Sequence, residues 1–106
     1  MITMMFVVYE RGGISREDAL LYWRTEHAGR AKRIPGVRRY VQSHATASPD
    51  GAAAPFLGIA ELSFDDQTAL TTALSSPEFT VALSDVANFA DPTKVPTGLV
   101  EQIQIV

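Results

Sequence analysis

A chain of 106 residues with net charge −3 and 46% hydrophobic residues fits one domain, 1–106, with its own core; burial of roughly 60 to 70% of the unfolded surface leaves modest stability in reserve. The absence of cysteine excludes a disulfide framework, a thiol nucleophile and a thiolate metal site. No apolar run approaches the ~20 residues needed to cross a bilayer, and MITMMFVVYER lacks the basic start and small-residue cleavage site of a signal peptide, so a cytoplasmic protein without a membrane partner is expected.

Met4 to Glu10 is rich in β-formers and too short for an independent helix, which predicts a buried strand. Residues 15 to 34 predict an amphipathic helix: Leu20, Trp23, His27, Ala31 and Ile34 recur at intervals of three and four, while Arg16, Arg24, Glu26, Arg30 and Arg33 fall off that stripe. Ser15 with Asp18 has the form of a capping box after the Gly12-Gly13 turn, and Pro35-Gly36 marks the stop. Val37 to His44 alternates as a strand, placing Val37, Arg39, Val41 and Ser43 on one face and Arg38, Tyr40, Gln42 and His44 on the other; His44 is expected to be exposed. Ala45 to Pro55 is a loop by composition.

Phe56 to Phe64 is the third strand, in which Gly58 offers room for close approach of a backbone or ligand. Asp65-Asp66 caps a helix with Ala69, Leu70, Ala73 and Leu74 on its stripe, and Ser76-Pro77 restarts a second helical piece carrying Phe79, Ala82, Leu83, Val86 and Phe89. Asp91-Pro92 ends it, Pro96 to Gly98 predicts a turn, and Leu99 to Val106 is expected to close as a strand.

The order βαββαβ implies an α+β, ferredoxin-like domain: a four-stranded antiparallel sheet with both helical regions on one face. Apolar residues on both sides of the strands imply that a second copy covers the other face, driven by burial at about 25 cal/mol per Å². Eight of the nine basic residues precede residue 45, and only Lys94 follows among eight acids. The arginines scatter over several helix faces and the pI is about 5.2, which argues against nucleic acid.

The run YW…H…IPG..RYVQ, the ELSFD stretch and SPEF…D..NF.D resemble the EthD family of the dimeric α+β barrel superfamily. That resemblance spans nearly the whole chain. It implies a homodimer with a pocket between helices and sheet, acting without a cofactor on small cyclic or aromatic molecules. It places His27 and Tyr40 at positions that usually face the pocket, with Tyr22 and Trp23 lining or supporting it. Gly29 stands where family members often have proline, and Ser63 where they often have an aromatic residue.

Spacing alone favours a core histidine at position 27; the resemblance turns the reading toward the pocket, where an imidazole of pKa about 6.5 suits general acid/base work. Tyr40 is either a packing residue or a donor to a carbonyl or enolate oxygen. Asp85 and Glu61 are weaker candidates: a carboxylate near the inner stripe can orient an imidazole, but capping or solvation explains most such residues. Two histidines separated by a strand give no metal-ligand pair. Three functions follow: a cofactor-free isomerase, lyase or monooxygenase-like enzyme on a small hydrophobic carbonyl or aromatic compound; a non-catalytic ligand-binding dimer assisting a partner enzyme; and, more weakly, a haem protein with His27 as axial ligand.

Overall fold

A computed structural model describes residues 1–106. Its strands are β1 (Ile2–Val8), β2 (Arg39–His44), β3 (Gly58–Phe64) and β4 (Thr97–Val100). Its helices are α1 (Arg16–Tyr22), α2 (Ala28–Ala31), α3 (Gln67–Leu74) and α4 (Pro77–Asp85). A π-helical turn, Trp23–His27, joins α1 to α2, and a 3₁₀ turn, Val86–Asn88, extends α4. The strands form one antiparallel sheet in the order β2-β3-β1-β4, the ferredoxin-like arrangement that the element order predicts.

Register assigns the faces. Tyr40 pairs with Leu62, which pairs with Met4, and Gln42 pairs with Ala60, which pairs with Phe6. Since directly opposed residues share a face, Tyr40, Gln42 and His44 stand on the helix-covered side. Met4, Ala31, Ile34, Leu62, Phe64 and Leu70 form one buried cluster; Val8, Ala19, Trp23, Leu57, Val86 and Phe89 belong to a second. Full burial of a side chain such as Leu57, Phe64 or Phe89 contributes about 1.5–3 kcal/mol each. The opposite face carries half-buried Met5, Val7, Val41 and Ile59.

Caps explain the helix starts. Ser15 accepts from the Asp18 N–H at 3.1 Å, Asp66 from Ala69 at 2.9 Å and Ser76 from Phe79 at 3.2 Å, each satisfying a donor that the first turn leaves unpaired. Pro77 follows Ser76 at the first helical position, where no N–H is needed.

Several boundaries differ from those the sequence predicts. The strand expected at Met4 to Glu10 runs instead from Ile2 to Val8, and Glu10 forms only an isolated bridge to Ala90. The expected continuous helix opens into a π turn at its centre. Within it the Thr25 hydroxyl donates to the Leu21 carbonyl at 2.6 Å, competing with the backbone ladder for that acceptor. The last strand is Thr97–Val100, so the predicted turn at Pro96 to Gly98 lies largely inside it and residues 101–106 lie outside. Register gives the reason: Val100 already pairs with Thr3, near the start of β1, so the ladder runs out just beyond it. Ile103 and Ile105 are left 72% and 85% exposed.

Candidate functional site

The helix layer and the sheet enclose a cavity of about 50 Å³ of free space, bounded by Phe6, Trp23, His27, Tyr40, Val86 and Phe89 among fifteen residues, fourteen of them hydrophobic. Space for a water requires roughly 10–15 Å³, so the cavity admits a small group. Leu83, on its lining, is 50% exposed and marks where the cavity meets solvent.

His27 ends the π turn and is buried. Its Nδ1 lies 2.8 Å from Asp85 Oδ2, and Phe89 packs against the ring at 4.8 Å between centroids. Asp85 closes α4 and is also buried. Its other oxygen, Oδ1, accepts from the Tyr22 hydroxyl at 2.7 Å and from Asn88 Nδ2 at 2.9 Å, with Arg30 Nε at 3.6 Å. A carboxylate so supplied with donors stays ionised: burial pushes its pKa up, but the bonds from Tyr22, Asn88 and His27 more than offset that and hold it below the ordinary value. The carboxylate accepts the Nδ1 hydrogen, which fixes the tautomer and leaves Nε2 with a lone pair. No protein group hydrogen-bonds Nε2. Burial lowers the His27 pKa, only partly opposed by Asp85, so the imidazole is neutral at pH 7.

Tyr40 reaches the cavity from β2, and its hydroxyl accepts from Gln42 Nε2 at 2.7 Å. Burial raises the phenol pKa, with Gln42 and Trp23 acting in the opposite direction; it remains a neutral donor. Gln42 Nε2 also donates to the Trp23 carbonyl at 2.8 Å, and Gln42 Oε1 lies 2.8 Å from His44 Nε2. His44 is therefore half-buried, not exposed as its strand-end position suggests: its ring stacks on Trp23 at 4.7 Å with planes 12° apart. Trp23 is in turn stacked with Phe89 at 6.0 Å and lies against Gly58, where an added Cβ would fall 2.6 Å from Cζ3 and also collide with the Ser43 carbonyl. That contact is the close approach for which Gly58 makes room.

Of the four residues singled out in the sequence, His27, Tyr40 and Trp23 line one cavity, and Tyr22 does not. Its hydroxyl is turned to Asp85. Asp85 stands at the centre of the helix-side cluster, although the sequence reading ranks it low. Its position gave a usable signal, since 85 falls on the same stripe as Ala82, Val86 and Phe89, and an acid on an apolar stripe needs a partner. Asn88 and Gln42 carried no comparable signal. No group of three His, Asp or Glu side chains is arranged to hold a metal ion, and no helix is long and apolar enough to cross a membrane.

An α+β ferredoxin-like domain with a buried histidine–aspartate pair on an apolar cavity is the class that fold and site define. Residues 11–93 match the EthD domain, and the chain belongs to the EthD family. It is similar in structure to an ethyl tert-butyl ether d (ethd) family protein from Bacillus halodurans, with TM-score 0.79 and 22% identity, covering 97% of this chain and 100% of that one. A dimeric ferredoxin-like protein of unknown function from Thermobifida fusca matches with TM-score 0.69 and 14% identity over 95% and 90% of the two chains. SnoaB, a cofactor-independent oxygenase from Streptomyces nogalater, matches with TM-score 0.66 and 17% identity over 99% and 95%. At these identities the likeness is one of fold. No curated protein matches the sequence.

Proposed function

We propose that this protein is a cofactor-independent enzyme that moves a proton on a small apolar compound bearing a carbonyl or an aromatic ring. His27 is the general base, Tyr40 holds the oxygen on which negative charge develops, and Trp23 is a wall against the substrate. Tyr22, expected from the family resemblance to line or support the pocket, is assigned to holding Asp85. One observation carries the reading: His27, whose Nε2 has no protein partner, lines an apolar cavity while its Nδ1 is held by an ionised carboxylate.

The steps follow from these positions. Nε2 takes a proton from the carbon next to the carbonyl; the imidazolium that forms is stabilised by Asp85, and the enolate oxygen by the Tyr40 hydroxyl. Return of the proton to another carbon is an isomerisation. Reaction of the carbanion with dioxygen is an oxygenation whose electrons come from the substrate; SnoaB is described as a cofactor-independent oxygenase. Deuterium exchange tests the shared first step. A panel of small cyclic ketones in D₂O, followed by NMR, is expected to lose α-hydrogens faster with the protein than without it. His27→Gln should slow that exchange by about 10²- to 10⁴-fold. Exchange unaffected by the substitution removes the base; saturable uptake without exchange identifies a binding protein instead.

The assembly proposed with it is a homodimer. Half-buried Met5, Val7, Val41 and Ile59 on the uncovered sheet face form an apolar surface that a second copy would cover. The dimeric description of the Thermobifida fusca protein supports it. Light scattering is expected to give twice the chain mass for the unaltered protein and the single mass for Ile59→Glu; a monomer before substitution overturns the assembly.

A further inference from the structure

The sheet side of the cavity holds a chain of neutral hydrogen bonds whose directions are all determined. It begins at the Trp23 carbonyl, an atom that can only accept. Trp23 opens the π turn, and the Ala28 N–H is directed at its carbonyl from five residues on. The remaining lone pair faces Gln42 across 2.8 Å. Only the amide NH₂ can stand there, because the reversed amide would set two carbonyl oxygens against each other. With the NH₂ fixed on Trp23, its other hydrogen falls on the Tyr40 oxygen at 2.7 Å, and Gln42 Oε1 is left for His44 Nε2, which must therefore carry a hydrogen. A phenol that accepts from Gln42 keeps its own single hydrogen, and no protein acceptor takes it.

We propose that Gln42 is a positioning residue that aims the Tyr40 hydrogen into the cavity, so that the site selects ligands presenting a bare acceptor oxygen, a ketone or an enolate, at its sheet end. The amide occupies the phenol oxygen, so a ligand hydroxyl or amine gains little by donating there. Gln42 touches no ligand itself; it acts through Tyr40. The inference rests on the proposed function only in taking this cavity as the binding site, and it concerns which ligand is held, not which bond breaks.

Trp23 is the single tryptophan and lines the cavity, so its fluorescence reports occupancy. Cyclohexanone and methylenecyclohexane are probes of nearly equal shape that differ in the acceptor oxygen. The unaltered protein is expected to bind the ketone about three- to tenfold more tightly, the worth of one net hydrogen bond. Tyr40→Phe should bring the ratio to about one. Gln42→Leu, which leaves the phenol hydrogen free to turn, should bring it most of the way there, with near-ultraviolet circular dichroism confirming an unaltered fold. If Gln42→Leu does not fold, Gln42→Met, which keeps the length of the side chain and removes the amide, replaces it with the same expected result. Equal affinities in the unaltered protein, or a preference left undiminished by either substitution, overturn the inference. Deuterium exchange in His27→Gln reads the base separately, so the two ideas fail by different measurements.

Discussion

The two walls of the cavity are built from opposite kinds of polar cluster. On the helix side, Asp85 brings a full charge into the interior and is surrounded by Tyr22, Asn88, His27 and Arg30. On the sheet side, Tyr40, Gln42, His44 and the Trp23 carbonyl are linked by neutral hydrogen bonds. Charge on one side partly restores the basicity that burial takes from an imidazole, while neutrality on the other leaves direction as the only thing the network fixes. A buried charge is costly unless fully partnered, so the helix side should fail abruptly and the sheet side gradually.

Asp85→Ala provides the sharpest contrast. It leaves His27, Tyr22 and Asn88 without their shared acceptor and is expected to lower unfolding free energy by about 1–3 kcal/mol, the usual cost of leaving a buried donor unpaired; urea denaturation measures it. A loss below 1 kcal/mol would mean that the carboxylate is solvated and the comparison mistaken.

Acid strains the same cluster without mutation. The Asp85 pKa is lowered in the fold, so its contribution is present above the ordinary carboxylate range and is lost as pH falls through its folded value. The His27 and His44 pKa values are also lowered, chiefly by burial. For a base this means that the unfolded chain takes up protons first, so stability falls as pH drops below about 6.5 and levels off only below the folded values. Melting temperature should therefore fall from pH 7 to 5, and exchange activity should have an acid limb centred below 6.5. A limb at or above about 6.5 would mean that burial does not outweigh the Asp85 charge at His27.

On the sheet side, Gly58→Ala drives a methyl into the Trp23 ring and the Ser43 carbonyl. The expected cost is about 1–3 kcal/mol with some loss of ligand-dependent fluorescence. His44→Phe is the mildest change: the stack on Trp23 is kept and one hydrogen bond to Gln42 is lost, for about 0.5–1.5 kcal/mol in the same urea assay. If His44→Phe costs as much as Asp85→Ala, the two walls are not different in kind.

Much of the fold was legible because it is written in local periods. The stripe through Leu20, Trp23, His27, Ala31 and Ile34, the cap at Ser15 and the restart at Ser76-Pro77 need only neighbouring residues to be read. What failed depends on partners distant in sequence. The end of β4 is set by where β1 begins, and the π turn at Trp23–His27 falls where the periodicity of the stripe reads as one continuous helix. The site was legible to the same depth: His27, Trp23 and Tyr40 stood out by residue type and pattern, whereas Asp85, near the inner stripe, read as one of the many carboxylates that capping or solvation explains, and His44 as an exposed strand end.

By itself the sequence determined the element order, the antiparallel ferredoxin-like sheet and the inward face of the first helix, because alternation and 3.6-residue periodicity act within a few residues. Only the tertiary structure decided that Asp85 meets His27 across 58 positions, that Tyr22 turns to that carboxylate, and that Tyr40 faces the helices. The reason is physical: a buried hydrogen bond is fixed by the packing that brings donor and acceptor together and excludes water, and that packing exists only once the sheet has a register and the helices lie on it.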